Sequence, residues 1–314
     1  MSLITDDFDN SNDLEYVETC DLCGSSHFEP ELDWNGWNLV RCPNCDLVFT
    51  SPRHTEAYLQ RLYSGRYYER ASGYLAMQMS RLSEEDHHLP KSLGEICRAG
   101  RGGRPLKSLD VGCGAGRIVQ AFQKSGWEGV GIDLSPKAVR TGIEGGLDLR
   151  VAALDDRGLG TFDLITGFHI LEHVHSPRKF LEKCAGRLHS NGYLLMEVPD
   201  YGSYRAQRMG RHWPYLYPDG HLYQFRDGTL KKYLAAAKFA IIWVRKVHGK
   251  GPLEEYKPCG ANEQQRQNGI KKFLFGLRHV FYWSPACRRI IRHILWHSFG
   301  YGEFIRVLAQ KRER

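Results

Sequence analysis

The chain has 314 residues, of which 42% are hydrophobic and 25% charged, and its formal net charge is +7. This length can bury one large core and add a small module, and the composition is that of a globular protein. No run of eighteen apolar residues occurs and residues 1–12 are polar and acidic, which argues against a spanning helix and a signal peptide. We therefore expect a cytoplasmic protein with a disordered tail over residues 1–15.

Two C-x-x-C pairs follow the tail, Cys20 with Cys23 and Cys42 with Cys45, separated by eighteen residues. This spacing is typical of a zinc ribbon, in which four thiolates close a tetrahedron around a structural zinc. Two disulfides or a redox pair are the alternatives, and the lack of a signal peptide disfavours the disulfides. We predict a zinc ribbon over residues 16–52. Its expected hairpin contains Trp34, Trp37, Leu39 and Val40, completed by Val48 and Phe49.

Residues 53–104 are predicted to be a helical cap and a linker. Tyr58, Leu59 and Leu62 recur at helical spacing, and residues 98–104 are rich in glycine and arginine.

Strand and helix patterns alternate regularly after Leu106. Strands are predicted at 107–111, 129–133, 147–151, 162–167 and 192–198, and helices at 117–125, 136–144 and 177–188. Such alternation is typical of a parallel, doubly wound α/β sheet that binds ligands at the carboxyl ends of its strands.

A glycine-rich loop follows the first of these strands. It reads Asp110-Val111-Gly112-Cys113-Gly114-Ala115-Gly116, and the next strand ends at Asp133. A dinucleotide fold has the spacing G-x-G-x-x-G, and a carboxylate at Asp110 would repel a pyrophosphate. Beside a cationic sulfonium or ammonium group the same carboxylate is favourable. Asp133 is placed to bind the two hydroxyls of a ribose.

These residues resemble the class I S-adenosylmethionine-dependent methyltransferases, in the branch of ubiquinone and sugar methyltransferases. The resemblance continues through Phe162-Asp163-Leu164-Ile165, Leu171-Glu172-His173-Val174 and Gly192 to Pro199. It implies a Rossmann-like methyltransferase domain over residues 105–314, preceded by the zinc ribbon. The implied cofactor-binding residues are Asp110, Gly112, Gly114, Gly116, Asp133, Leu134, Leu154, Asp155, Phe168 and His169. Among them, Asp155 is expected near the adenine, and Phe168 and His169 near the methionine end.

Three histidines and a glutamate occur within residues 169–175. His169 and His173 are four residues apart and could share a helical face, which raises the hypothesis of a catalytic metal. Many relatives with the Leu-Glu-His-Val core have no metal there, so support of the loop and of the cofactor pocket is the favoured interpretation.

An aromatic-rich lid is predicted over residues 200–228. His221 resembles a histidine that recurs before the following helix, and an imidazole is a suitable general base for an acceptor hydroxyl. His173 is the second candidate base, and His212, Trp213 and Tyr217 are weaker candidates for the same pocket. A histidine that merely hydrogen-bonds the lid is the alternative for His221. Tyr67 or Tyr68 is expected to form another wall of the pocket.

A helical insertion is predicted over residues 260–299, before a last strand at Glu303 to Ala309. Its apolar residues follow helical spacing, and lysines, arginines and tryptophans surround them from residue 265 onward. Three interpretations stay open: peripheral contact with the inner face of a membrane, packing on the sheet, and a homodimer contact.

The predicted function is methyl transfer to a small-molecule, sugar or lipid-linked acceptor, at oxygen. One alternative is a zinc-ribbon ribosomal RNA guanine methyltransferase, but residues 15–50 have few basic side chains and no Asn-Pro-Pro-Tyr-like motif occurs, so nucleic acid is disfavoured. The other is a non-catalytic interaction protein with a degenerate methyltransferase fold. The intact Asp110, Gly112 and Asp133 argue against it.

Overall fold

A computed structural model describes residues 13–65, 84–98, 103–247 and 302–312. Tyr67, Tyr68 and the insertion at 260–299 lie outside these residues, as does most of the expected tail, so the membrane and homodimer interpretations stay predictions. Within the tail, β1 (Leu14–Glu15) is ordered, because it pairs with β5 (Arg53–His54). No helix in the described ranges has both the length and the apolar character needed to cross a bilayer.

The cysteine-containing segment, residues 16–52, is built on antiparallel strands. The predicted hairpin is present as β2 (Glu29–Trp34) and β3 (Trp37–Arg41), and β4 (Val48–Thr50) pairs with β3. Asn35 and Gly36 connect β2 to β3 with φ of 49° and 87°, which is typical of an Asn-Gly hairpin turn. The helical cap begins with α1 (Glu56–Ser64) and resumes with α2 (Glu84–Cys97).

The remaining elements alternate as predicted. In chain order they are β6 (Lys107–Val111), α3 (Arg117–Lys124), β7 (Glu128–Asp133), α4 (Pro136–Glu144), β8 (Leu149–Val151), β9 (Phe162–Phe168), α5 (Pro177–Arg187), β10 (Leu188–Pro199), α6 (Tyr204–Met209), β11 (Tyr223–Gln224), α7 (Asp227–Ala236), β12 (Phe239–Val247) and β13 (Phe304–Lys311). Seven of these strands form one sheet in the order β12-β13-β10-β9-β6-β7-β8.

The sheet is parallel from β8 to β10, and β13 runs antiparallel to both β10 and β12. Neighbouring residues of a strand face opposite sides of the sheet. Accordingly, Leu164 packs in one buried cluster with Phe122 of α3, and Ile165 in another with Leu181 of α5. Helices therefore cover both faces, and the carboxyl ends of the parallel strands meet at one edge.

One connection was not predicted. The short strand β11, inside the lid, pairs antiparallel with β4 of the cysteine-containing segment, with Tyr223 opposite Phe49 and Gln224 opposite Val48. The order of that second sheet is β11-β4-β3-β2. The cysteine-containing segment thus shares a sheet with the lid.

Candidate active site

The glycine loop leaves β6 with left-handed backbone angles. Gly112, Gly114 and Gly116 have φ of 70°, 54° and 84°, which disfavours any residue with a side chain. A Cβ at Gly112 would also lie 2.6 Å from Cδ1 of Ile170. Both observations explain why glycines recur there.

Asp133 fixes this loop from the end of β7. Its Oδ2 accepts a hydrogen bond from the backbone N–H of Gly114 at 2.9 Å, and its Oδ1 accepts one from Ser135 N–H at 2.8 Å. The adjacent Leu134 is partly exposed. The carboxylate is therefore oriented beside the glycine loop.

Asp110 lies behind the loop and is buried. The hydroxyl of Thr166 donates to its Oδ1 at 2.6 Å. Burial raises the pKa of Asp110 to about 7, although Thr166 and Arg117 oppose the shift. Its charge therefore changes near neutral pH.

The two residues expected near the adenine differ in exposure. Leu154 is buried, whereas the Asp155 side chain is 62% exposed and forms an ion pair with Lys183 on α5, at 2.8 Å between Oδ2 and Nζ. The hydrogen bond from Lys183 lowers the pKa of Asp155. Its adenine role stays a prediction.

His169 and His173 do not share a helical face, because residues 169–175 form a turn and His169 has a φ of 54°. The ring of His169 lies between two glutamates, with Nε2 3.2 Å from Glu197 Oε1 and Nδ1 3.5 Å from Glu172 Oε1. Although burial opposes the charge, these carboxylates raise the pKa of His169 to about 10. His169 is thus an imidazolium at neutral pH, and a cation is a poor metal ligand.

His173 and His221, both predicted as bases, are brought together by the lid, with ring centroids 4.6 Å apart. Nδ1 of His173 lies 2.8 Å from the carbonyl oxygen of Gly220, and Nδ1 of His221 lies 3.0 Å from that of Tyr215. Because a carbonyl only accepts, each Nδ1 has the proton and each Nε2 has a free lone pair. The hydroxyl of Tyr63 also reaches Nδ1 of His173, at 2.8 Å.

Burial keeps these imidazoles neutral. It lowers the pKa of His221 to about 3, aided by His173, and it also lowers that of His173. Both rings are therefore ready to accept a proton at neutral pH.

Glu172 completes the cluster. It is 1% exposed, and neither carboxylate oxygen has a hydrogen-bond partner among the described residues. Although burial opposes ionisation, neighbouring imidazoles, led by His169, hold the pKa of Glu172 below its usual value. Glu172, His173 and His221 each offer one ligand atom, all within 4.8 Å of one another. Three acceptors without a donor can receive a proton or hold a cation.

Aromatic rings line the surroundings of this cluster. The Phe304 ring lies 4.6 Å from that of His169 and 4.8 Å from that of Tyr215, and the Tyr217 ring lies 5.6 Å from that of His221. Of the weaker candidates, Tyr217 is therefore next to the cluster, whereas His212 is exposed and Trp213 packs in a different core cluster. Phe304 was not predicted, because it comes from a strand more than eighty residues downstream.

The four cysteines also converge. Sγ of Cys20 lies 3.5 Å from that of Cys45, and Sγ of Cys23 lies 3.5 Å from that of Cys42, with all four within 4.8 Å. Sulfurs that bind one tetrahedral zinc are roughly 3.8 Å apart, given Zn–S bonds of about 2.3 Å. Burial raises the pKa of Cys20 to about 11. A divalent cation would offset the cost of ionising such closely packed thiols, so the four residues fit a structural zinc.

Comparisons with known proteins place these features in a family. The profile of a family described as a methyltransferase domain matches residues 74–244. A ubiquinone biosynthesis O-methyltransferase of Xanthomonas euvesicatoria pv. vesicatoria (strain 85-10) is 34% identical over 99 residues, 29% of this chain and 41% of the relative. One of Caulobacter sp. (strain K31) is 30% identical over 118 residues, 34% of this chain and 47% of the relative. The chain therefore spans less than half the length of these curated relatives.

Among solved structures, the plantazolicin methyltransferase BpumL, in complex with a pentazolic desmethylPZN analog and SAH, is similar in fold. Its TM-score is 0.51 at 13% identity, and the match covers 82% of this chain and 95% of that one. This similarity supports the Rossmann-like methyltransferase fold.

Proposed function

The chain belongs to the methyltransferase domain family, and from this membership we propose that it transfers a methyl group from S-adenosylmethionine to a hydroxyl oxygen of a small-molecule or sugar-type acceptor. The observation that supports this function is the acceptor-only cluster of Glu172, His173 and His221, which follows β9 at the sheet edge where the glycine loop and Asp133 also lie.

The residues at that edge fit the cofactor. Asp133 has a carboxylate for the ribose hydroxyls, Asp110 supplies a negative charge for the ammonium or sulfonium group, and the glycines allow close approach of the backbone. The further proposed contacts are Leu134, Leu154, Asp155, Phe168 and His169. When bound, S-adenosylmethionine supplies an electrophilic methyl on a cationic sulfur, so that the acceptor oxygen gains the methyl and S-adenosylhomocysteine leaves.

We assign proton removal to His221, with His173 beside it. Nδ1 of His221 is engaged with the Tyr215 carbonyl, so Nε2 is the atom that takes the proton of the acceptor hydroxyl. The Glu172 carboxylate would stabilise the imidazolium that results. The rings of Tyr215, Tyr217 and Phe304 suit a ring-shaped acceptor.

We also propose that Cys20, Cys23, Cys42 and Cys45 hold a structural zinc. All four positions of a tetrahedron are then filled by protein, which leaves no site for a catalytic water.

The cofactor assignment is tested by calorimetric titration with S-adenosylhomocysteine. Asp133→Ala should weaken binding by about tenfold or more, because hydrogen bonds to the ribose and the anchor of Gly114 are lost, and tenfold corresponds to roughly 1.4 kcal/mol. Asp148→Ala is the matched control, since Asp148 is an exposed acid whose side chain pairs with Arg150. An Asp133→Ala protein that binds as tightly as the wild type would contradict the assignment, and a wild type that does not bind would contradict the function.

Cofactor binding should also depend on pH through Asp110. The carboxylate is mostly protonated below its pKa of about 7 and mostly charged above it. The affinity for cationic S-adenosylmethionine should therefore rise between pH 6 and pH 8, by up to roughly tenfold for a pKa change of one unit. Asp110→Asn should bind more weakly and lose this pH dependence. Titration of both proteins at several pH values checks this, and an unchanged dependence in Asp110→Asn would assign it to another group.

A further inference from the structure

Thr50 joins the cysteine-containing segment to the segment that contains His221. It ends β4 and is fully buried. Its backbone N–H donates to the carbonyl of Leu222 at 3.0 Å, and its hydroxyl donates to the carbonyl of Pro218 at 3.2 Å. The two bonds therefore bracket His221, one on each side along the chain.

The same segment is held from its other side by the active-site turn. The N–H of Tyr223 donates to the carbonyl of Glu172 at 3.3 Å, and the hydroxyl of Tyr223 donates to the carbonyl of His175 at 3.0 Å. Residues 218–224 thus lie between β4 and the turn that contains Glu172 and His173. Their position depends on both neighbours.

The strand β4 is in turn fixed by the second cysteine pair. The N–H of Cys42 donates to the carbonyl of Leu47 at 2.9 Å, one residue before β4 begins. Two cations from the lid side reach the same turn. Lys232 donates to the carbonyl of Cys45 at 2.9 Å, and Arg226 pairs with Asp46 at 3.0 Å. The geometry of the cysteine cluster is therefore connected to His221 through Thr50.

We infer that Thr50 is a positioning residue for His221, and that the cysteine-containing segment forms one side of the active site. This inference rests on the proposed role of His221 as the base. Thr50 has no part in proton transfer itself. Its two bonds keep residues 218–222 in place, which sets the direction of the imidazole, and small displacements of a catalytic group lower its efficiency.

Valine at position 50 separates the hydroxyl from the side-chain volume. Thr50→Val has nearly the same shape, retains the backbone bond to Leu222 and leaves the buried carbonyl of Pro218 without its donor. Thr50→Ser restores the hydroxyl and should rescue the effect. Thr141→Val is the matched control, because the Thr141 hydroxyl bonds only within exposed α4, to the carbonyl of Lys137.

The test compares these variants in the zinc-loaded full chain, without an acceptor. In Thr50→Val, amide hydrogen exchange of residues 219–224 should accelerate by roughly threefold to tenfold, as expected for one lost hydrogen bond. The ring resonance of His221 in histidine-labelled protein, assigned by its absence in His221→Ala, should shift and should return in Thr50→Ser. Exchange in β6 and β7 should stay unchanged.

The inference is overturned if Thr50→Val folds with unchanged exchange at 219–224 and an unchanged His221 resonance. It is also overturned if Thr50→Ser fails to restore them. If Thr50→Val does not fold, Thr50→Ala removes the same hydroxyl without the added methyl and decides the question. S-adenosylhomocysteine titration of each variant separates the two proposals, because the cofactor contacts lie elsewhere. A wild type that fails to bind it would contradict the proposed function and leave the positioning result intact.

Discussion

Replacement of His221 by alanine should lower kcat by about 10²- to 10⁴-fold, which is the usual contribution of a positioned general base. The physical reason is that Nε2 of His221 is an unprotonated acceptor beside the buried carboxylate of Glu172, so that a proton taken there is stabilised by a negative charge. Transfer of radiolabelled methyl from S-adenosylmethionine to a panel of catechol, phenol and sugar acceptors measures the effect.

His212→Ala is the control for this substitution, because His212 is an exposed histidine of the same lid. Its kcat should equal that of the wild type. S-adenosylhomocysteine should bind equally to both variants, which separates loss of the base from loss of the cofactor site. A His221→Ala enzyme with wild-type kcat on a methylated acceptor would refute the base assignment.

Cys42→Ser should remove the structural zinc and lower the thermal stability of the whole chain. Structural zinc sites contribute on the order of 10–16 kcal/mol of apparent binding free energy in zinc-finger peptides, and that energy depends on all four ligands. Cys42 is completely buried, and its Sγ lies 3.5 Å from that of Cys23. Elemental analysis after dialysis should give one zinc per wild-type chain and none for the variant.

Cys184→Ser provides the matched control, since Cys184 is equally buried but lies on α5, away from the cluster. It should lose some stability through packing while keeping its zinc. Wild-type protein without zinc would contradict the metal assignment. A second metal that disappears in Glu172→Gln would show that Glu172, His173 and His221 hold a cation, and would change the role proposed for His221.

The agreement between predicted and observed strands has a local origin. Apolar alternation and glycine turns depend on neighbouring residues, so the predicted strand 107–111 matches β6 and the predicted strand 162–167 lies within β9. The hairpin of β2 and β3 was predictable for the same reason, because Asn35-Gly36 is itself a turn sequence.

The expected pairing of His169 with His173 failed for a reason of longer range. Sequence spacing suggested one helical face, but the backbone turns at His169, and Glu197 from β10 takes its ring. Arg306, from the last strand, donates to the other oxygen of Glu197 at 2.5 Å. No local pattern shows that a residue more than a hundred positions away sets the charge of a histidine.

The sequence by itself determined the α/β sheet, the glycine loop with Asp110 and Asp133, and the four-cysteine pattern, because each of these depends on spacing within a short segment. Only the tertiary structure decided that His173 and His221 face each other beside a buried Glu172, and that Thr50 binds the segment containing His221. These contacts join residues separated by about 50 to 170 positions. They form because the sheet edge and the shared strand pair of β4 and β11 bring those segments together.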